Sequence, residues 1–140
     1  MSVLIIGEAG VNHNGDLDLA KRLIDVAADA GVNLVKFQTF SADRLATRDA
    51  PKAEYQSESG QDQSQFAMLE SLELSADMQL ALIEHCQRRD VGFFSTGFDI
   101  ESVEYLASLG TQLFKIPSGE ITNLPYLRHV GAYGTDVILS

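Results

Sequence analysis

Apolar residues recur along this chain in two alternating rhythms. Residues 3–7 form a short unbroken run, Val-Leu-Ile-Ile-Gly. Such runs suit a strand buried on both faces, as in parallel sheets. A polar turn follows. From Asp16 the spacing changes, and Leu19, Leu23, Ala27 and Ala30 fall on one helical face. Asp16 predicts an N-cap there and Gly31 a stop.

The unit then returns. Further strands are predicted over about 34–38, 91–95, 113–116 and 137–139. Helices are predicted over about 75–89, with Met78, Leu82 and Cys86 on one face, and over about 124–132. Between them, Asp99 caps a short helix carrying Val103, Leu106 and Ala107, which Gly110 closes. Five strands alternating with four helices imply a parallel α/β sheet. A doubly wound sheet and a (β/α)8 barrel both fit. No G-x-G-x-x-G follows the first strand, which weakens the nucleotide-binding doubly wound reading.

One connection breaks the rhythm. Residues 40–74 are rich in Asp, Glu, Ser and Gln and include Pro51 and Gly60. A connection this long is usually a functional lid or disordered. Its second half, about 64–74, holds Phe66, Met68, Leu69 and Leu72 and is predicted to be helical.

Composition narrows the partners. With 45% hydrophobic and 21% charged residues the 140-residue chain is ordinary globular material. A full barrel typically needs about 250 residues. The formal net charge of -10 argues against nucleic acid or an anionic membrane. The apolar start lacks a basic region and reads as a strand rather than a signal peptide, so a cytoplasmic location is expected. The single cysteine, Cys86, cannot pair within the chain and is expected to be a buried thiol. His85 and His129 fall in helices and are expected at the surface. No two histidines show metal-ligand spacing.

In a parallel barrel the site lies at the C-terminal strand ends. Those ends deliver Glu8, then Lys36 and Gln38, then Ser95 and Thr96, then Lys115, Ser118 and Glu120, and last Ser140. Two of the four lysines, Lys36 and Lys115, sit inside apolar runs. A buried lysine without a partner is costly, so something anionic should meet each one. That partner is either an internal carboxylate, Glu8 or Glu120, or an anionic ligand. Two cations among the hydroxyls of Thr96, Ser118 and Ser140 suit a phosphate or carboxylate. Glu8 could pair with a lysine or act as an acid/base, since burial raises a carboxylate pKa. His13 could hold its own turn or touch substrate. Phe98 follows the third strand and could line the site.

Four stretches also occur in a familiar order. They are Ile-Gly-Glu-Ala-Gly-Val-Asn-His-Asn-Gly (6–15), Val-Lys-Phe-Gln-Thr (35–39), Phe-Ser-Thr-Gly-Phe-Asp (94–99) and Phe-Lys-Ile-Pro-Ser-Gly-Glu (114–120). Together they resemble the N-acetylneuraminate (sialic acid) synthase family, which includes legionaminate, pseudaminate and spore-coat polysaccharide synthases. The resemblance implies a TIM barrel, of which these residues hold the N-terminal part, followed by a small antifreeze-like domain, in a homodimer. It implies condensation of phosphoenolpyruvate with N-acetylmannosamine or a related N-acyl amino sugar. By motif match, Lys36, Thr96, Lys115, Ser118 and Ser140 would hold phosphoenolpyruvate. Glu8 and Gln38 would face the sugar, and Phe98 would wall the site. Members commonly carry Pro before that Phe, whereas this chain has Gly97, which bears on loop rigidity. A divalent metal, Mn or Mg, would be held by histidines of later strands, outside this chain. Alone, residues 1–140 are therefore expected to be catalytically silent and to expose a strand edge and apolar helix faces. Two alternatives remain: a non-catalytic anion-binding half barrel, and another phosphoenolpyruvate aldol-type synthase.

Overall fold

The computed structural model describes residues 3–46 and 64–140. Pro51 and Gly60 lie outside the described residues. The elements run β1 (Ile6–Gly10), α1 (Leu17–Asp29), β2 (Leu34–Thr39), α2 (Ala42–Leu45), α3 (Gln65–Ser71), α4 (Ala76–Arg88), β3 (Gly92–Gly97), α5 (Ile100–Ser108), β4 (Leu113–Ile116), α6 (Leu124–Gly131) and β5 (Asp136–Leu139). This is the expected alternation; α3 is the helix predicted over about 64–74, and α2 is added at the start of the long second connection.

The helix starts follow local chemistry. Asp16 accepts from the Leu19 N–H, Ser75 from Met78 and Asp99 from Ser102. Each satisfies a donor that the first helical turn leaves free. Gly31 ends α1 at φ 77°, a conformation that costs a side-chain residue energy.

All strand pairs are parallel. β1, β2 and β3 form one sheet in that order, and β4 and β5 form a second. The ladder is thus interrupted between β3 and β4, which the strand pattern does not reveal. Packing bridges the gap. Phe93 lies against a core beneath α1 and α4 and against a second core beneath α5 and α6. The Tyr126 hydroxyl of α6 also donates to the Gly97 carbonyl at 2.6 Å. Parallel strands with helical crossovers on one side are consistent with a partial barrel.

The first strand differs from expectation. It begins at Ile6, three residues later than the apolar run suggests. Ile5 is taken up by Asn33, whose backbone N–H and side-chain oxygen bond its carbonyl and N–H. Because β1 runs on to Gly10, Glu8 sits in its middle, opposite Lys36, and not at its tip.

The helix-covered side is well filled. Ile24, Val35, Phe37, Leu82 and Cys86 are almost wholly buried there. Burial pushes the Cys86 thiol up to about 12, so it is an inert core group, as expected. Elsewhere apolar side chains face water: Val137 is 42% exposed, Leu139 61% and Val26 70%. Among the described residues, no helix is long and apolar enough to cross a membrane.

Candidate functional site

Strand alternation decides which side chains meet. On β2, Val35 and Phe37 enter the core beneath α1 and α4. Leu34, Lys36 and Gln38 therefore project from the opposite, helix-free face. On β4, Phe114 and Ile116 enter the core beneath α5 and α6, which leaves Lys115 on the helix-free side. Phe94 and Thr96 of β3 lie across from Lys36 and Gln38 and share that face. The two strand lysines thus point the same way, away from the helices.

Their surroundings differ. Lys36 is 7% exposed, and its Nζ lies 2.7 Å from Glu8 Oε2. Glu8 itself is not buried, with 55% of its side chain open to solvent. The premise that burial tunes Glu8 is corrected: it is a solvated carboxylate that neutralises Lys36. Lys115 is half-buried and has no ion-pair partner among the described residues. Glu120 does not reach it and instead accepts from the Asn123 amide.

Gln38 joins the Glu8 end of the site. A Cβ placed on Gly10 would stand 3.2 Å from Glu8 Oε1 and 3.8 Å from Gln38 Nε2. Both side chains therefore converge over the Gly10 backbone, which turns there at φ 55°. Thr96 is 1% exposed, and its hydroxyl has no hydrogen-bond partner. A buried hydroxyl left unpaired is costly and marks a place where a ligand atom can bond. Ser118 opens the 3-10 turn Ser118–Glu120 just beyond β4 and is exposed. Ser140 is exposed beyond β5, and its N–H bonds the Ile116 carbonyl, which sets it beside the end of β4.

Phe98 packs edge-on against Phe40 with ring centroids 6.3 Å apart. It walls a cavity of about 480 Å³ together with Arg44, Glu101, Glu120 and Tyr126. Two hydrogen bonds hold the loop at Gly97. Tyr126 holds the Gly97 carbonyl, and the Phe98 N–H bonds the Thr39 carbonyl. A Cβ on Gly97 would approach the Val103 backbone to 3.0 Å, so α5 packs closely because the residue is glycine. A second cleft of about 390 Å³ opens at the opposite strand ends, lined by Leu34, Phe94 and Leu113 among others, and carries no charged side chain.

His13 does not reach the helix-free face. It is fully buried, obliquely beside Phe37 on the helix side, and its Nδ1 accepts from the Gly15 N–H at 3.0 Å. That bond fixes the proton on Nε2, which has no partner. Burial pushes its pKa down, so the ring stays neutral. His13 holds its own turn, the first of the two roles open to it. His85 is partly buried and bonds Asp25 of α1 at 2.8 Å, not a free surface group. His129 lies 3.6 Å from Glu104. Among the described residues no cluster of His, Cys, Asp and Glu could hold a metal ion. The described residues do not by themselves form the divalent-metal site that the resemblance implies.

Ser95, read from the sequence as a strand-end residue of the site, points instead to the helix side, and sequence reasoning missed the partners it meets there. Thr39, Ser95 and Gln79 form a buried polar chain just behind Gln38 and Thr96. Three polar residues at positions otherwise filled by core side chains were the available signal.

The chain is similar to known proteins along its whole described length. The profile of the NeuB family matches residues 23–140. The N,N'-diacetyllegionaminic acid synthase of Campylobacter jejuni is 51% identical over 98% of this chain, and that of Legionella pneumophila 49% over 100%. The chain spans about 41% and 40% of the length of these two relatives. A crystal structure of N-acetylneuraminic acid synthetase from Leptospira borgpetersenii, in complex with citrate, superposes with a TM-score of 0.82 at 34% identity. It covers 99% of this chain, which corresponds to 44% of that one. This chain belongs to the NeuB family, whose members among its relatives are nonulosonic acid synthases.

Proposed function

We propose that these residues form the phosphoenolpyruvate-binding part of a nonulosonate synthase. The whole enzyme would condense phosphoenolpyruvate with N-acetylmannosamine or a related N-acyl amino sugar, giving a nonulosonic acid and phosphate. The observation that carries this reading is Lys115, a half-buried ammonium on the helix-free face with no acidic partner among the described residues. An unneutralised cation in that position favours an anion.

The remaining roles follow from position. Lys115, Ser118 and Ser140 cluster at the ends of β4 and β5 and suit phosphate or carboxylate oxygens. The orphaned Thr96 hydroxyl would donate to the same ligand. Lys36 would lend charge while staying tied to Glu8. Glu8 and Gln38, side by side over Gly10, would face the hydroxyl-rich sugar, with Glu8 placed to exchange a proton. Phe98 would supply an apolar wall. A divalent metal held by residues elsewhere in the protein would supply Lewis-acid chemistry to this site. The citrate bound by the Leptospira relative is also a small polyanion, which is compatible with such a site.

The test is phosphoenolpyruvate titration of the full-length protein. Lys115→Ala is expected to cost about 2–4 kcal/mol of binding, the loss typical of removing one partner of a desolvated charge pair. Lys36→Ala should weaken binding less, because Glu8 already neutralises it. Unchanged affinity in Lys115→Ala would remove the lysine from the site and end this reading.

A further inference from the structure

The buried polar chain behind the site has a direction. Gln79 Nε2 donates to the Leu74 carbonyl at 3.2 Å, which fixes the orientation of the amide. Gln79 Oε1 therefore accepts, and the Thr39 hydroxyl donates to it at 3.1 Å. Thr39 has only one hydroxyl proton. The 2.7 Å bond between Thr39 Oγ1 and Ser95 Oγ must then be donated by Ser95. The order is Ser95 to Thr39 to Gln79 to the Leu74 carbonyl, and both hydroxyl protons are used. Gln79, Ser95 and Thr39 are all buried.

The chain joins the two strands that carry the site. Thr39 follows Gln38, and Ser95 precedes Thr96, so each points to the helix side while its neighbour points to the helix-free side. Gln38 and Thr96 are themselves opposite one another in the β2–β3 register. The far end of the chain is anchored as well. Leu74 follows Glu73, whose carboxylate accepts from the Ala42 N–H. Arg44 of the same short helix pairs with Asp99 at 2.9 Å. Three separate groups of polar bonds thus tie the strand ends, α2, α4 and the start of α5 at neighbouring residues.

We propose that Thr39, Ser95 and Gln79 are positioning residues that set the spacing of Gln38 and Thr96 for ligand. This inference rests on the assignment of those two residues to the ligand-binding face. A hydrophobic core would hold α4 against the sheet equally well. A directed hydrogen-bond chain fixes the strand tips in one arrangement, because a shift breaks it and leaves a buried donor or acceptor unpaired.

Phosphoenolpyruvate titration and thermal unfolding of the full-length protein test it, using Thr39→Val, Thr39→Ser, Leu82→Ala and Lys115→Ala. Thr39→Val keeps the shape but removes the hydroxyl. It is expected to weaken binding by about tenfold, the scale of one displaced site group. Thr39→Ser restores the hydroxyl and should bind within about twofold of the parent. Leu82→Ala, in the core of the same helix, should lower the melting temperature at least as much as Thr39→Val yet leave affinity unchanged. If Thr39→Val binds normally while Lys115→Ala loses binding, the positioning role is wrong and the site assignment stands. If Thr39→Val and Leu82→Ala lose affinity alike, the effect is general destabilisation and the role is wrong. If Lys115→Ala binds normally, the site assignment falls and the positioning role with it.

Discussion

The two strand lysines occupy matching places in two sheets and live in opposite circumstances. Lys36, in the three-stranded sheet, is nearly buried and satisfied by Glu8. Lys115, in the two-stranded sheet, is half-buried and has no such partner among the described residues. The difference extends outward. Behind Lys36 lie a dense core and a complete hydrogen-bond chain, whereas β5 beside Lys115 leaves Val137 and Leu139 open to water. An internal ion pair and packed apolar area hold a fold. An unpaired cation at a strand end contributes little to folding and much to the binding of an anion.

The comparison can be broken in several ways, and the largest effect should come from the core. Leu82→Ala, fully buried beneath the first sheet, is expected to cost about 2–5 kcal/mol in urea unfolding, from lost burial plus a cavity. A loss below about 1 kcal/mol would mean that α4 repacks freely, and the contrast in rigidity would be wrong. Next come the lysines. Lys115→Ala should shift unfolding by less than about 0.5 kcal/mol, as for a surface position without special contacts. Glu8→Gln should cost about 1–2 kcal/mol, because it leaves Lys36 charged and unpaired in a buried place. Equal effects in the two variants would show that the lysines are not distinguished by their partners.

Smaller effects depend on pH. The His13 pKa is lowered by burial, so the unfolded chain takes up a proton first as pH falls. Stability from neutral His13 is present above about pH 6.5 and declines below it, by at most about 1.4 kcal/mol per pH unit. His13→Gln should flatten that part of the curve. Cys86 behaves in the opposite sense. Its folded pKa is pushed up to about 12, so ionisation of the unfolded thiol destabilises the fold as pH rises past about 8.5. Cys86→Ala should reduce the alkaline loss even though it leaves a small cavity.

Much of this could be read before any coordinates. Asp16, Ser75 and Asp99 mark helix starts through local bonds of three residues' reach. The lysines stood out because charge inside an apolar run demands an explanation. What stayed hidden depends on pairs distant in sequence. Thr39 meets Gln79 40 positions away and Ser95 56 positions away, and Tyr126 finds Gly97 29 positions away. Nor does an apolar run show where a ladder starts. Asn33 captures Ile5 ahead of β1, and the strand runs on to Gly10, so Glu8 lies mid-strand beside Lys36. The burial of His13 was equally invisible, because a turn bounded by asparagines looks solvent-facing until α3 packs over Gly15, within reach of the Ser71 carbonyl.

The most direct measurement is a crystal structure of the full-length protein soaked with phosphoenolpyruvate. An anionic oxygen of the ligand should lie within hydrogen-bond distance of Lys115 Nζ, on the same face as Lys36. Ligand density in the cleft at the opposite strand ends, with Lys115 left in solvent, would contradict the account.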